Sequence, residues 1–179
     1  MAPAGQQLGI LMQPTENNVA ACKDPKLPPP MEMPAGKDWV GVLRHIDAAQ
    51  AETLCAVIGT LYPHDTIPEN CYRRAVYQLD RLAEVEQAAA TLSKFCAMLA
   101  ERSALPFFEL AETYRVQALR QLESTSEFFF VQRAAVRYFY DDVEIWAAFG
   151  YEGASVHLGG YVERGFDDLD WLPPLPNDF

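Results

Sequence analysis

Basic residues are scarce in this chain: 14 lysines and arginines stand against 25 aspartates and glutamates, a formal net charge of -11 over 179 residues. A surface of that sign repels phosphate backbones and anionic headgroups, which argues against nucleic acid and membrane-surface binding. Long apolar runs are missing too. The stretch Met1-Ala2-Pro3-Ala4-Gly5 shows no basic region or twin arginine, so no signal peptide or membrane span is expected. The cytoplasm is then the default location, with the periplasm as the alternative if a partner carries the chain out or a signal has been trimmed.

Residues that carry chemistry are thinly spread. The cysteines Cys22, Cys55, Cys71 and Cys96 form no C-x-x-C pair, which excludes a zinc knuckle or c-type haem attachment and favours buried reduced thiols. The histidines His45, His64 and His157 fall in no H-E-x-x-H or H-x-x-E-H pattern, so zinc has no natural ligand set. Gly153, Gly159, Gly160 and Gly165 have the wrong spacing for a dinucleotide or phosphate cradle. No glycine-flanked serine elbow occurs, and Glu69, Asp80 and Glu84 read as solvated carboxylates on helix surfaces. Arg73 and Arg74 could lower the Cys71 thiol pKa, but a structural thiol is the expectation for a residue in the first turn of an amphipathic helix. His64 after Pro63 reads as a loop residue. No catalytic, cofactor-binding or metal-binding residue is therefore assigned.

What the sequence does hold is helical pattern, with 50% hydrophobic residues to build a core for one domain. Prolines at Pro3, Pro14, Pro25, Pro28, Pro29, Pro30 and Pro34 make residues 1–45 an extended leader. Regular structure is expected to begin near Asp47, an N-cap with Gln50 three residues on, followed by the stripe Leu54, Val57, Ile58 and Leu61 up to Pro63. Thr66-Ile67-Pro68-Glu69 predicts a second capping box, with Tyr72, Ala75, Val76 and Leu79 buried and Arg73, Arg74, Gln78 and Arg81 facing elsewhere. A third stripe runs through Ala88, Ala89, Leu92, Cys96 and Leu99, with a kink near Ala83 before it.

Past Pro106, a fourth helix is expected to bury Tyr114, Ala118, Leu119 and Leu122. Ser124-Thr125-Ser126-Glu127 predicts a capping box for a helix from Phe128 to about Tyr140, apolar on most of its circumference and hence expected to be covered on several sides. Asp141-Asp142 should cap a last short helix through Ile145, Trp146 and Phe149, stopped by Gly150 in a left-handed turn. The fold class expected is all-α, about six helices in a bundle over residues 46–150, between the leader and an arm at 151–179.

That arm has neither helical nor strand period. Its aromatic rings Tyr151, Tyr161, Phe166 and Trp171 are costly to leave in water, and some thirty residues cannot bury them in themselves. Either the arm folds back on its own helices or it lies across a partner with the rings as anchors. The acidic run Asp167, Asp168 and Asp170 reads as a solvated face, with Arg164 near enough in sequence to pair with it.

The order of motifs carries one resemblance. Leu61-Tyr62-Pro63-His64-Asp65 is followed by Tyr72-Arg73-Arg74, then Phe107-Phe108-Glu109-Leu110 and the Phe-rich helix. After these come Gly150-Tyr151-Glu152-Gly153, Gly159-Gly160-Tyr161 and Arg164-Gly165-Phe166-Asp167-Asp168-Leu169-Asp170-Trp171-Leu172-Pro173. Over residues 46–174 this resembles the gluconate 2-dehydrogenase subunit 3 family. The resemblance implies a small, or gamma, subunit that pairs with a large FAD-binding catalytic subunit of the glucose-methanol-choline class. It brings no catalytic residue and no cofactor to this chain: FAD is expected in the partner, as is any route to a cytochrome or other electron acceptor. The partner-contact residues it suggests are Tyr151, Tyr161, Arg164, Phe166, Asp167, Asp168, Asp170 and Trp171. The twin-arginine signal that many such subunits carry is not found. The alternative expectation is a standalone helical binding or regulatory module; an enzyme built on Cys71 or His64 is the least favoured reading.

Overall fold

The computed structural model describes residues 30–151 and 153. Within them the chain is all helical, with six α-helices: α1 Ala48–Leu61, α2 Glu69–Leu82, α3 Glu86–Ala100, α4 Glu112–Arg120, α5 Ser126–Tyr140 and α6 Val143–Phe149. Two 3-10 turns, Asp38–Val42 and Phe107–Glu109, supplement them. Helix α5 packs along α2 and α3, and α1 packs against α2 and, less extensively, against α3 and α5. The core they enclose holds Leu54, Ile58, Leu79, Leu92, Phe95, Leu122, Phe139 and Ile145.

Local chemistry explains most helix starts. Asp47 and Gln50 form the reciprocal capping box expected of α1, at 2.8 and 3.1 Å. Thr125 caps α5 by accepting from the Phe128 N–H at 3.2 Å, one residue later than a box begun at Ser124 would. Asp142 caps α6 through the Glu144 N–H at 2.9 Å, and Gly150 closes that helix at φ 70°, the left-handed turn expected of it.

Several expectations are corrected. The box at Thr66 does not form: Pro68 is the N-cap of α2, and a proline ring offers no side-chain acceptor. Tyr114 is 61% exposed, because α4 is short and turns only Ala118 and Leu119 inward. Ala83 does not kink one long helix. The N–H groups of Ala83, Glu84 and Val85 bond three residues back, and the backbone then turns extended at Val85 before α3 starts. Helix α5, by contrast, is covered on several sides as expected, by α1, α2, α3 and α6, and leaves Phe129 51% and Val136 38% exposed.

The stretch before α1 contributes to the core as well. Met33 and Trp39, from the proline-rich portion, are both buried. Trp39 lies 5.8 Å from the Arg73 guanidinium carbon, a cation–π arrangement. The entry to α1 is fixed by a buried carboxylate on α2: Asp80, 2% exposed, accepts the successive backbone N–H groups of Arg44, His45 and Ile46 at 3.0, 2.7 and 3.0 Å. This corrects the expectation of a solvated Asp80. Its burial is tolerated because the donors that replace water are already fixed by the turn.

Removing that acceptor strands the buried Ile46 N–H and the part-buried N–H groups of Arg44 and His45. Asp80→Ala is expected to lower unfolding free energy by about 3 kcal/mol, read from the urea midpoint at unchanged slope. A loss below about 1 kcal/mol would show that water satisfies these donors as well as the carboxylate does.

Candidate functional site

The largest concentration of buried charge lies where α2 meets the start of α6. Arg74 is directed inward, contrary to the outward placement expected from its position between apolar residues. Its Nε donates to Asp142 Oδ2 at 2.5 Å, and its Nη2 donates to Asp142 Oδ1 at 3.0 Å, to Glu144 Oε2 at 2.6 Å and to Cys71 Sγ at 3.2 Å. Nη1 reaches the Met31 carbonyl at 3.5 Å. Burial alone would lower the guanidinium pKa, but the hydrogen bonds to Asp142 and Glu144 outweigh it and hold the value above the ordinary one. Arg74 is thus held in its charged form.

Cys71, Asp142 and Glu144 place their ligand atoms within 4.8 Å of one another, the one such set among the described residues. The guanidinium of Arg74 already serves as the cation of this set, with a hydrogen bond to each member. A cleft of about 310 Å³ opens beside it, lined by Met31, Arg74, Tyr77, Tyr138, Asp141 and Asp142.

The thiol at the centre is not activated. Burial pushes the Cys71 pKa up to about 12, Asp142 adds to the rise, and the opposing effect of Arg74 is too small to reverse it. The possibility that the neighbouring arginines lower it is thus corrected: carboxylates accompany the one that reaches the sulfur. Cys55 and Cys96 are likewise raised to about 12, mainly by burial. Cys22 lies outside the described residues.

A second feature is the aromatic end of the bundle. Tyr62, His64, Tyr72, Phe139, Tyr140 and Phe149 form one connected group, from Tyr72 against Phe139 at 4.6 Å to His64 against Phe149 at 5.2 Å. Polar tips are paired as buried rings require: Tyr72 Oη donates to the Tyr62 carbonyl at 3.1 Å, Tyr62 Oη to the Gln132 carbonyl at 3.2 Å, and Trp146 Nε1 to the Tyr140 carbonyl at 2.6 Å. His64 Nε2 lies 2.8 Å from Tyr140 Oη. The loop histidine is therefore built into the packing by a hydroxyl and by stacking on Phe139.

This group leads to the surface. Phe149 is 55% and Tyr151 46% exposed, with Tyr151 edge-on to Trp146 at 5.4 Å. Gly153, at φ 87°, sits so close to Trp146 that an added Cβ would lie 3.5 Å from the indole. Of the partner-contact residues expected from the sequence, Tyr151 is thus placed at the rim of the aromatic end. Tyr161, Arg164, Phe166, Asp167, Asp168, Asp170 and Trp171 lie outside the described residues, as does most of the arm. The ion cluster itself was missed, although a cysteine three residues before an arginine on one helix face was visible; the carboxylates that meet it come from 68 and 70 residues away.

No protein-family model, curated protein or solved structure matches the chain.

The thiol environment makes a direct prediction. At pH 8 the folded protein should alkylate with iodoacetamide at Cys55, Cys71 and Cys96 about a thousandfold more slowly than a free thiol, as the thiolate fraction dictates. Peptide mapping separates these sites from Cys22. Labelling of Cys71 at the free-thiol rate would restore it as a nucleophile candidate.

Proposed function

We propose that this chain is a non-catalytic small subunit that binds and stabilises a larger FAD-dependent sugar or alcohol dehydrogenase. The observation that carries the reading is the aromatic end, where Phe149 and Tyr151 stand half-exposed just as the chain enters its glycine- and aromatic-rich arm. Large rings at and just past a helix end are suited to anchoring in a partner's pockets, and covering the exposed half of each contributes about 1 kcal/mol. The resemblance of the ordered motifs to the small-subunit family suggests the chemistry of that partner: a flavoprotein that holds the FAD and performs the oxidation.

The chemistry of the described residues is consistent with this division of labour. The conspicuous thiol has its pKa raised, the carboxylates beside it are engaged by Arg74, and His64 is engaged with Tyr140. A standalone binding module is the second reading, favoured by the cleft of about 310 Å³ beside Arg74, whose tyrosine and carboxylate walls could receive a small polar ligand.

Co-expression with the flavin-bearing large subunit separates the two. The small-subunit reading predicts that the affinity-tagged full chain brings down the flavoprotein, seen as FAD absorbance near equimolar amount, and that soluble flavoprotein declines severalfold when the chain is omitted. A chain that elutes alone as a monomer, with flavoprotein yield unaffected, would instead support the standalone module.

A further inference from the structure

Helix α5 leaves one of its faces unpacked. Phe129, Arg133, Val136 and Tyr140 fall at i, i+4, i+7 and i+11, a single stripe about 16 Å long by helical rise. Phe129, Arg133 and Val136 are exposed, while the opposite face, with Phe128, Val131, Ala135 and Phe139, is buried in the bundle. At its C-terminal end the stripe runs into the aromatic end, since the rings of Tyr140 and Phe149 are 6.3 Å apart. Phe129 and Val136, with Arg133 between them, thus line a path along α5 that leads to the aromatic end, where the arm departs.

Its charge is the reverse of the molecule's. Arg133 and, beside the stripe, Arg137 are exposed and make no ion pair among the described residues, on a chain of net charge -11. The acids in and next to this helix stand at its two ends: Glu127, bound to Lys94 at 2.6 Å, and Asp141.

We propose that this stripe is the face on which the large subunit docks, and that it receives an apolar segment of that subunit with carboxylates placed opposite Arg133 and Arg137. The proposal rests on the small-subunit reading and adds to it a contact surface outside the arm. Covering Phe129 and Val136 supplies the apolar contact, and covering Arg133 without a carboxylate would leave a desolvated charge unpaired. A second copy of this chain is a poor occupant, because two such faces would oppose arginine with arginine and the stripe has no acid of its own to offer.

The test uses the full chain co-expressed with the flavin-bearing subunit, scored by FAD absorbance retained per chain after purification. Val136→Glu and Arg133→Glu are expected to reduce the retained flavin by at least about tenfold, while their thermal midpoints match the unsubstituted chain because both positions are exposed. Tyr114→Glu, on the exposed side of α4, should retain it. Arg133→Lys should lose less than Arg133→Glu, since it keeps the charge. Full flavin retention by Val136→Glu would overturn the docking face while leaving the small-subunit reading intact. A wild-type chain that binds no flavoprotein overturns both. If Val136→Glu converts a sedimenting dimer of the isolated chain to monomer without affecting flavin, a second copy occupies the stripe and the proposal is wrong.

Discussion

The buried guanidinium of Arg74 is the constraint on which the rest of this molecule depends. Helix α6 has seven residues, too few to be stable in isolation. It is held because Asp142 serves two donors at once: one of its oxygens accepts both the Glu144 N–H that starts the helix and Arg74 Nη2, and the other accepts Arg74 Nε. Glu144 in the first turn adds a second contact. A planar fork with several donors suits this arrangement, and a lysine at the same place would satisfy fewer acceptors. The desolvation cost of three charges in one place is offset only because each has a partner at hydrogen-bond distance. The position of α6 in turn sets where Trp146, Phe149 and Tyr151 stand, and so where the arm leaves the bundle.

The proline-rich segment is tied to the same helix. Arg73 bonds the Pro34 carbonyl at 3.5 Å and pairs with Glu69 at 2.9 Å, while Arg74 reaches the Met31 carbonyl. Trp39 and Met33 fill the space these contacts frame. Helix α2 therefore organises both ends of the described chain, with Asp80 fixing the entry to α1 and Arg74 fixing the start of α6. Among the described residues, Phe129 and Val136 on the outer side of α5 and Phe149 and Tyr151 at the end of α6 remain partly exposed.

Much of the fold was legible because helix signals are local. The Asp47–Gln50 box, the Asp142 cap, the Gly150 stop and the stripes of α1, α2 and α3 depend on residues within a few positions of one another, and each forms where expected. What escaped was tertiary. Arg74 and Asp80 read as surface charges because their partners lie far along the chain, and a periodicity argument assigns any charged residue outward. Tyr114 read as buried because it is large and apolar, though α4 is too short to enclose it. Trp39 was hidden by its proline-rich context. The partner-facing reading of the arm rests on composition and motif order, of which the described residues include only Tyr151 and Gly153.

The most direct measurement is a double-mutant cycle on Arg74 and Asp142, with Arg74→Ala, Asp142→Ala and the double substitution compared by urea unfolding at neutral pH. If the guanidinium holds α6 in place as described, the two residues should couple by about 2–3 kcal/mol, the double variant being little worse than either single one. Coupling below about 0.5 kcal/mol would mean that the pair acts independently, and that something other than Arg74 positions the last helix.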